Sequence, residues 1–154
     1  MYGVSHLDVS ESVALVTFRK IPCQLPLISD IFNRFSKNNI LIDMISQTAP
    51  AGEFVSISFT CMEDDLVKVL EISNELNHKY PQIKPMVSSG NCKIQLFGEE
   101  MRAASGVFAR ALAALTSIPM ELQQVTTSEV DISLLVTAPH KEAAVKALQA
   151  SFNL

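Results

Sequence analysis

Few of the residues able to carry chemistry stand where chemistry needs them. A tetrahedral metal site takes three or four convergent Cys, His or carboxylate donors, yet His6, His78 and His140 are scattered, none at i, i+4 spacing to another ligand. They read as solvated surface imidazoles. Cys23, Cys61 and Cys92 are odd in number and widely spaced, two of them inside apolar strand-like runs. They read as small buried hydrophobes rather than a disulfide pair. Asp64 with Asp65 and Glu99 with Glu100 resemble paired acids, but each pair precedes a predicted helix, where a carboxylate meets the positive end of the helix dipole. The glycine fingerprints of dinucleotide and phosphate binding and the G-x-S-x-G nucleophile turn are absent, so the sequence indicates neither a catalytic residue nor a cofactor. What remains are single carboxylates, Asp43, Glu121 and Glu129, on strand-like segments near helix starts. Such a carboxylate suits an ammonium and helix N-terminal amides suit a carboxylate, which together describe an amino-acid site.

The elements that position them follow from periodicity. Val55, Ile57, Phe59 and Cys61 alternate with Ser56, Ser58 and Thr60, and Val130, Ile132, Leu134 and Val136 alternate in the same rhythm, so two half-buried antiparallel strands are predicted. Before each comes a helical pattern, Ile28, Ile31, Phe32 and Phe35 in one case and Phe108, Ala111, Leu112 and Leu115 in the other. After each comes a second, through Leu66, Val69, Leu70, Ser73 and Leu76, then through Ala144, Val145, Leu148 and Phe152. The chain is therefore a repeat. Adding 80 matches Ala14 with Ile94, Val16 with Leu96, Phe32 with Leu112, Ile40 with Met120 and Ile42 with Leu122; past the hairpin the offset falls to 75, with Pro50, Ala51 and Gly52 as the longer hairpin tip of the first copy.

Each copy reads as βαββα, an α+β layer with helices on one face of an antiparallel sheet, and each needs a fourth strand. Ile83 to Ser88 can complete the first, with Ser88 to Asn91 as the connection; the second lacks a strand after its last helix, so Tyr2 to Leu7 is expected to return and complete it. The domains are then 12–88 and 89–154 with strand 2–7, an interlocked pair.

Composition narrows the partners. The 154 residues carry 12 Lys plus Arg against 16 Asp plus Glu, a net charge of -4, and no three basic residues are consecutive, which argues against a nucleic-acid partner. No apolar run approaches the ~20 residues of a membrane helix, and Met1 to Ser10 lacks a basic start followed by an apolar block, so a cytoplasmic location without membrane contact is expected. On this scaffold a metal chaperone needs Cys-x-x-Cys before its first helix, an RNA binder needs aromatic residues on the open sheet face, and an acylphosphatase-like enzyme needs an Arg-bearing phosphate loop; none is legible. Leu41 and Ile45, opposite Ile40, Ile42 and Met44, predict an apolar face that meets a second copy, hence a homodimer.

Ile40-Leu41-Ile42-Asp43-Met44-Ile45, Ile57-Ser58-Phe59-Thr60, Gly98 with Met101 and Gly106-Val107, Thr127-Ser128-Glu129-Val130-Asp131-Ile132-Ser133, and Ala147-Leu148 with Phe152 together resemble the tandem ACT regulatory region of aspartokinases. The resemblance covers nearly the whole chain, Gly3-Val4-Ser5 included. It implies two ferredoxin-like βαββαβ units that interlock, pair with a second copy and bind lysine or threonine at their junctions to control a kinase domain. That domain would lie before Met1 and make all ATP and aspartate contacts. The resemblance thus implies a non-catalytic regulatory protein of amino-acid biosynthesis, either a separate ACT protein or a portion or subunit of an aspartokinase. A ligand-free dimerisation module is the alternative.

The departures from that family fall on its loops. Where it usually reads Gly-x-Pro-Asp-x-Pro-Gly, this chain has Lys20-Ile21-Pro22-Cys23-Gln24-Leu25-Pro26, which keeps only Pro22 and loses the acid, at Cys23, and the second glycine, at Pro26. The second loop keeps Gly98, Met101 and Gly106 but has Ser105 where proline is typical, and Pro119-Met120-Glu121 replaces an Asn-x-Asn strand. The residues expected to line whatever site exists are Gln24, Asp43, Gln47, Ser105, Gly106, Ser128 and Glu129, with Ser128 also suited to forming the turn.

Overall fold

The computed structural model describes all 154 residues, as six strands and four α-helices. In chain order these are β1 (His6–Pro22), α1 (Leu25–Lys37), β2 (Asp43–Gln47), β3 (Phe54–Met62), α2 (Leu66–Lys79), β4 (Pro85–Phe97), α3 (Val107–Leu115), β5 (Gln124–Thr127), β6 (Asp131–Thr137) and α4 (Lys141–Phe152). The contacts divide into two compact units, Ser12–Ser89 and Met1–Glu11 with Gly90–Leu154, and β1 and β4 each contribute to both. Strand order is β2-β3-β1-β4 for the first and β1-β4-β6-β5 for the second, with antiparallel pairing. Each unit is a ferredoxin-like α+β layer.

In the unit of Ser12–Ser89, alternation does what the sequence requires. Val16 lies opposite Phe59 and Phe18 opposite Ile57, and all four are buried against Leu27, Ile31 and Phe35 of α1 and Val69, Ile72 and Leu76 of α2. The centre of this core is aromatic: the Phe35 ring lies 5.2 Å from Phe59 and 6.0 Å from Phe32, a geometry in which ring quadrupoles add to burial. The other unit buries Ile94, Leu96, Ile132, Leu134 and Val136 against Val107, Ala111 and Leu115 of α3 and Ala144, Leu148 and Phe152 of α4. Val4 joins this core.

The repeat holds, with one shift. The short helical turns Glu63–Asp65 and Ala138–His140 keep the offset of 75, and the buried triads of α1 and α3 keep 80. The strand pairings set Val16 against Phe59 and Ile94 against Leu134, so Val16 corresponds to Ile94 and Phe18 to Leu96, two residues from the sequence alignment. A two-residue slip preserves the buried face, so side-chain alternation alone could not detect it.

Element boundaries moved for physical reasons. Ile40, Leu41 and Ile42 are not in a strand: the chain leaves α1 through Asn39 in the left-handed region (φ 56°), and the Ile40 N–H bonds the Phe35 carbonyl at 3.1 Å, closing the helix end. Met120 and Leu122 also precede their strand, because Pro119 brings no N–H and Met120 donates to Ile118 at 2.8 Å; the ladder begins with the Gln123 N–H on Leu135. Ser88 to Asn91 is not a connection but the middle of β4, where Gly90 takes φ 74° without ending the strand. The N-terminal strand begins at His6 rather than Tyr2, and it forms one element with the Ala14 strand, kinked at Ser12 (φ 58°). Glu99 and Glu100 sit in a tight helical turn, Glu99–Ala103, separated from α3, and Cys23 is exposed while Cys61 and Cys92 are buried. Phe108 is exposed and Val107 takes the core place assigned to it.

Candidate functional site

The site is built where β4 runs into α3. After Phe97 the chain turns at Gly98, whose carbonyl accepts the Met101 N–H at 3.1 Å, passes through the Glu99–Ala103 turn and enters α3 at Gly106. Gly106 holds φ 80°, ψ 6°, a left-handed geometry costly for any residue with a Cβ, and its carbonyl accepts the Arg110 N–H at 2.9 Å. The first amides of α3 are thereby left without intrahelical acceptors, at the positive end of the helix.

The β5–β6 hairpin closes the other side. Ser128 donates its N–H to Asp131 O at 2.9 Å, and its hydroxyl oxygen accepts the N–H groups of Val130 and Asp131, each at 3.2 Å, while donating to the Asp131 carboxylate. Gln95 Nε2 donates to the same carboxylate at 2.7 Å. Ser128 is thus committed to forming the turn. The hairpin is tied to the loop by the Gly98 N–H on Val130 O at 2.9 Å, and by an ion pair between Arg102 and Glu129. Arg102 also reaches Glu99 at 3.4 Å.

Between loop and hairpin lies a cleft of about 590 Å³, within the range of small-molecule sites. Met101, Val107, Phe108 and Ile132 give it an apolar wall; Arg102, Thr127, Ser128 and Glu129 give it polar groups, and Gly106 lies at its edge. It offers a guanidinium and helix amides to a carboxylate, Glu129 to an ammonium, and an apolar surface to a side chain. The Arg102 and Glu129 side chains are 55% and 77% exposed, so their mutual attraction is screened and weak enough for a ligand to replace.

The other unit has a cleft in the corresponding place, about 540 Å³, with Pro22, Cys23 and Gln24 on one side, Gly52, Glu53 and Phe54 at the hairpin tip, and Gln82. The Cys23 N–H bonds Glu53 O at 2.8 Å, joining loop to hairpin as Gly98 does. Its helix start is poorer in donors: Pro26 has no N–H, and the amides of Leu27 and Ile28 both turn to the Gln24 carbonyl at 3.1 Å.

Of the residues singled out in the sequence, Gly106, Ser128 and Glu129 share the first cleft and Gln24 lines the second. Ser105 is exposed between Ala104 and Gly106 but does not line the cleft, and Glu121 is exposed ahead of β5. Asp43 and Gln47 stand at the two ends of β2, opposite Thr60 and Ile57, and line neither cleft. A bulge between them, with Met44 at φ 46°, breaks the alternation that would aim them together. Arg102 and Glu53 were missed. Arg102 had a signal, as the only cation between β4 and α3; Glu53, one carboxylate after a turn glycine, had none.

The molecule is a duplicated ferredoxin-like unit in which each copy carries a small cleft between a helix start and a hairpin. Residues 94–152 match the ACT domain family. Over 151 residues the chain is 26% identical to an aspartokinase of Pseudomonas aeruginosa, covering 98% of this chain and 37% of that protein, and 28% identical to aspartokinase 2 of Bacillus subtilis, with the same coverage. The chain spans about a third of the length of these curated relatives. Among solved structures, the regulatory subunit of aspartate kinase from Thermus thermophilus has the same fold, with a TM-score of 0.86 at 24% identity over 97% of this chain and 99% of that one. A chain from a structure of aspartokinase alpha and beta subunits gives 0.86 at 26%, over 98% and 99%. Part of the second unit thus matches the ACT domain family, and the chain as a whole is similar in sequence and in fold to the regulatory part of aspartokinases.

Proposed function

We propose that this chain is a non-catalytic ACT pair, with domains 12–88 and 89–154 and the N-terminal segment, in strand from His6, completing the second, that binds an amino acid of the lysine or threonine type, or a similar small metabolite, for allosteric control of amino-acid biosynthesis. The observation that carries the reading is the cleft beside α3, where Arg102, Glu129 and open helix amides surround an apolar wall. The controlled enzyme is an aspartokinase, in trans or in the same polypeptide. The working form is a cytoplasmic homodimer, using the exposed Leu41 and Ile45. Control follows from linkage: a ligand shifts the pair between arrangements only by its differential affinity, about 1 to 3 kcal/mol in typical allosteric systems.

Titration calorimetry of the chain against lysine, threonine and the other common amino acids tests this, and saturable heat with at least one of them is the expected outcome. A second reading, a ligand-free dimerisation module, is favoured by the donor-poor start of α1 and by the turn-bound hydroxyl of Ser128. Silence across the panel together with a stable dimer would establish it instead.

A further inference from the structure

The segment Tyr2–Ser5 lies against the loop that forms the α3 cleft, and is held by that loop, by the end of β4 and by the helices beside it. Gly98 has no room for a side chain: a methyl group there would collide with the Gly3 carbonyl and lie 2.9 Å from Val4 Cα. A methyl group on Gly3 would meet Val107 at 3.2 Å, Ala104 at 3.4 Å and Met101 at 3.7 Å, and all three of those residues line the cleft. Val4 is buried in the core under α3, and the Ser5 N–H and hydroxyl both donate to Phe97 O, at 2.7 and 3.1 Å. Tyr2 is held from the other side: its ring stacks under the Arg110 guanidinium at 3.6 Å, and Arg110 is itself fixed by two bonds to Ser151 O at 3.0 and 2.8 Å.

We propose that the Tyr2–Ser5 strap is a positioning element for the cleft: docked, it holds residues 98–107 in the binding shape; released, it lets that loop relax and the cleft is lost. Strap docking and ligand binding are then linked, so each strengthens the other by the same factor. Whatever is joined to or pulls on this segment controls the site from outside it. The linkage rests on the ligand-binding reading above; the support of the loop by the strap does not.

The test is amide hydrogen exchange on the whole chain and on Tyr2→Ala, Tyr2→Phe and Gly98→Ala. Loss of the ring is expected to speed exchange of residues 99–106 about tenfold, with the interior of β6 and α4 unchanged, and Tyr2→Phe is expected to restore the parent rate because the ring stays over Arg110. Gly98→Ala should reproduce the Tyr2→Ala pattern. Added threonine or lysine, whichever binds the parent, should in turn slow exchange at residues 2–5 and bind Tyr2→Ala about tenfold more weakly. Unchanged loop exchange in Tyr2→Ala, or acceleration spread evenly over β6 and α4, would overturn the proposal. Faster loop exchange in a chain that binds no amino acid would instead uphold the strap and remove the ligand reading.

Discussion

Glu129 and Arg102 face each other across the cleft mouth with most of their surface in solvent, so their value to stability is small and their value to a ligand is large. Glu129→Gln is expected to weaken amino-acid binding about tenfold or more while changing the unfolding free energy by less than about 1 kcal/mol, as measured by calorimetry and denaturant titration. Ser128 behaves in the opposite way. Its hydroxyl satisfies two backbone N–H groups and the Asp131 carboxylate, so Ser128→Ala costs about 1 to 2 kcal/mol in the same titration with little direct effect on the ligand. The thiols separate by burial: Cys23 is exposed, whereas Cys61 is pushed up to about 11, first by burial and then by the Asp65 charge. Alkylation near neutral pH should modify one thiol in the folded chain and three after denaturation. At this scale the sequence could point to Gly106 and Glu129 because a glycine before a helix and an acid in a tight hairpin are local patterns. It could not point to Glu53, a lone charge whose role exists only once Cys23 and the hairpin tip meet in space.

Helix faces were legible to within one position: Ile31, Phe35, Ala111 and Leu115 were expected in the core and are buried, whereas Leu27 and Val107 are buried where Ile28 and Phe108 were expected. Leu27, Ile31 and Phe35 on α1 recur as Val107, Ala111 and Leu115 on α3, and both triads are buried. Phe35 is fully buried with rings of Phe18, Phe32 and Phe59 around it, so Phe35→Ala is expected to cost about 3 to 5 kcal/mol in denaturant unfolding. Strand limits were less legible, since they depend on backbone bonds with no side-chain signature. Ile40 looks like strand but closes α1, and Ser88 to Asn91 looks like a linker but is strand. Gly106→Ala isolates one such backbone requirement: open space surrounds the position, so its cost of about 1 kcal/mol reports the left-handed geometry alone, together with weaker binding as the α3 amides re-aim.

Over the whole molecule the repeat has diverged at its loops rather than its cores. The two clefts occupy equivalent places but differ in donors, because Pro26 stands where α1 would otherwise offer an amide and Gly106 leaves α3 open. One long-range charge pair bears on pH. Lys141 on α4 donates to Glu11 on β1, which holds the Glu11 carboxyl below the usual carboxylate range. A carboxyl lowered by folding stabilises above its unfolded pKa and loses that contribution as pH falls through the folded value. A modest stability deficit of Glu11→Gln should therefore be seen near neutral pH and vanish in acid; both groups are exposed, so the effect is small.

The most direct test of the central claim is calorimetric titration of the parent, Glu129→Gln and Gln24→Ala chains side by side with lysine and threonine. The cleft beside α3 predicts saturable heat in the parent, its loss in Glu129→Gln and its retention in Gln24→Ala. Heat that survives in Glu129→Gln would contradict this assignment of the site, and a parent silent to both amino acids and to the rest of the panel would contradict the sensor itself.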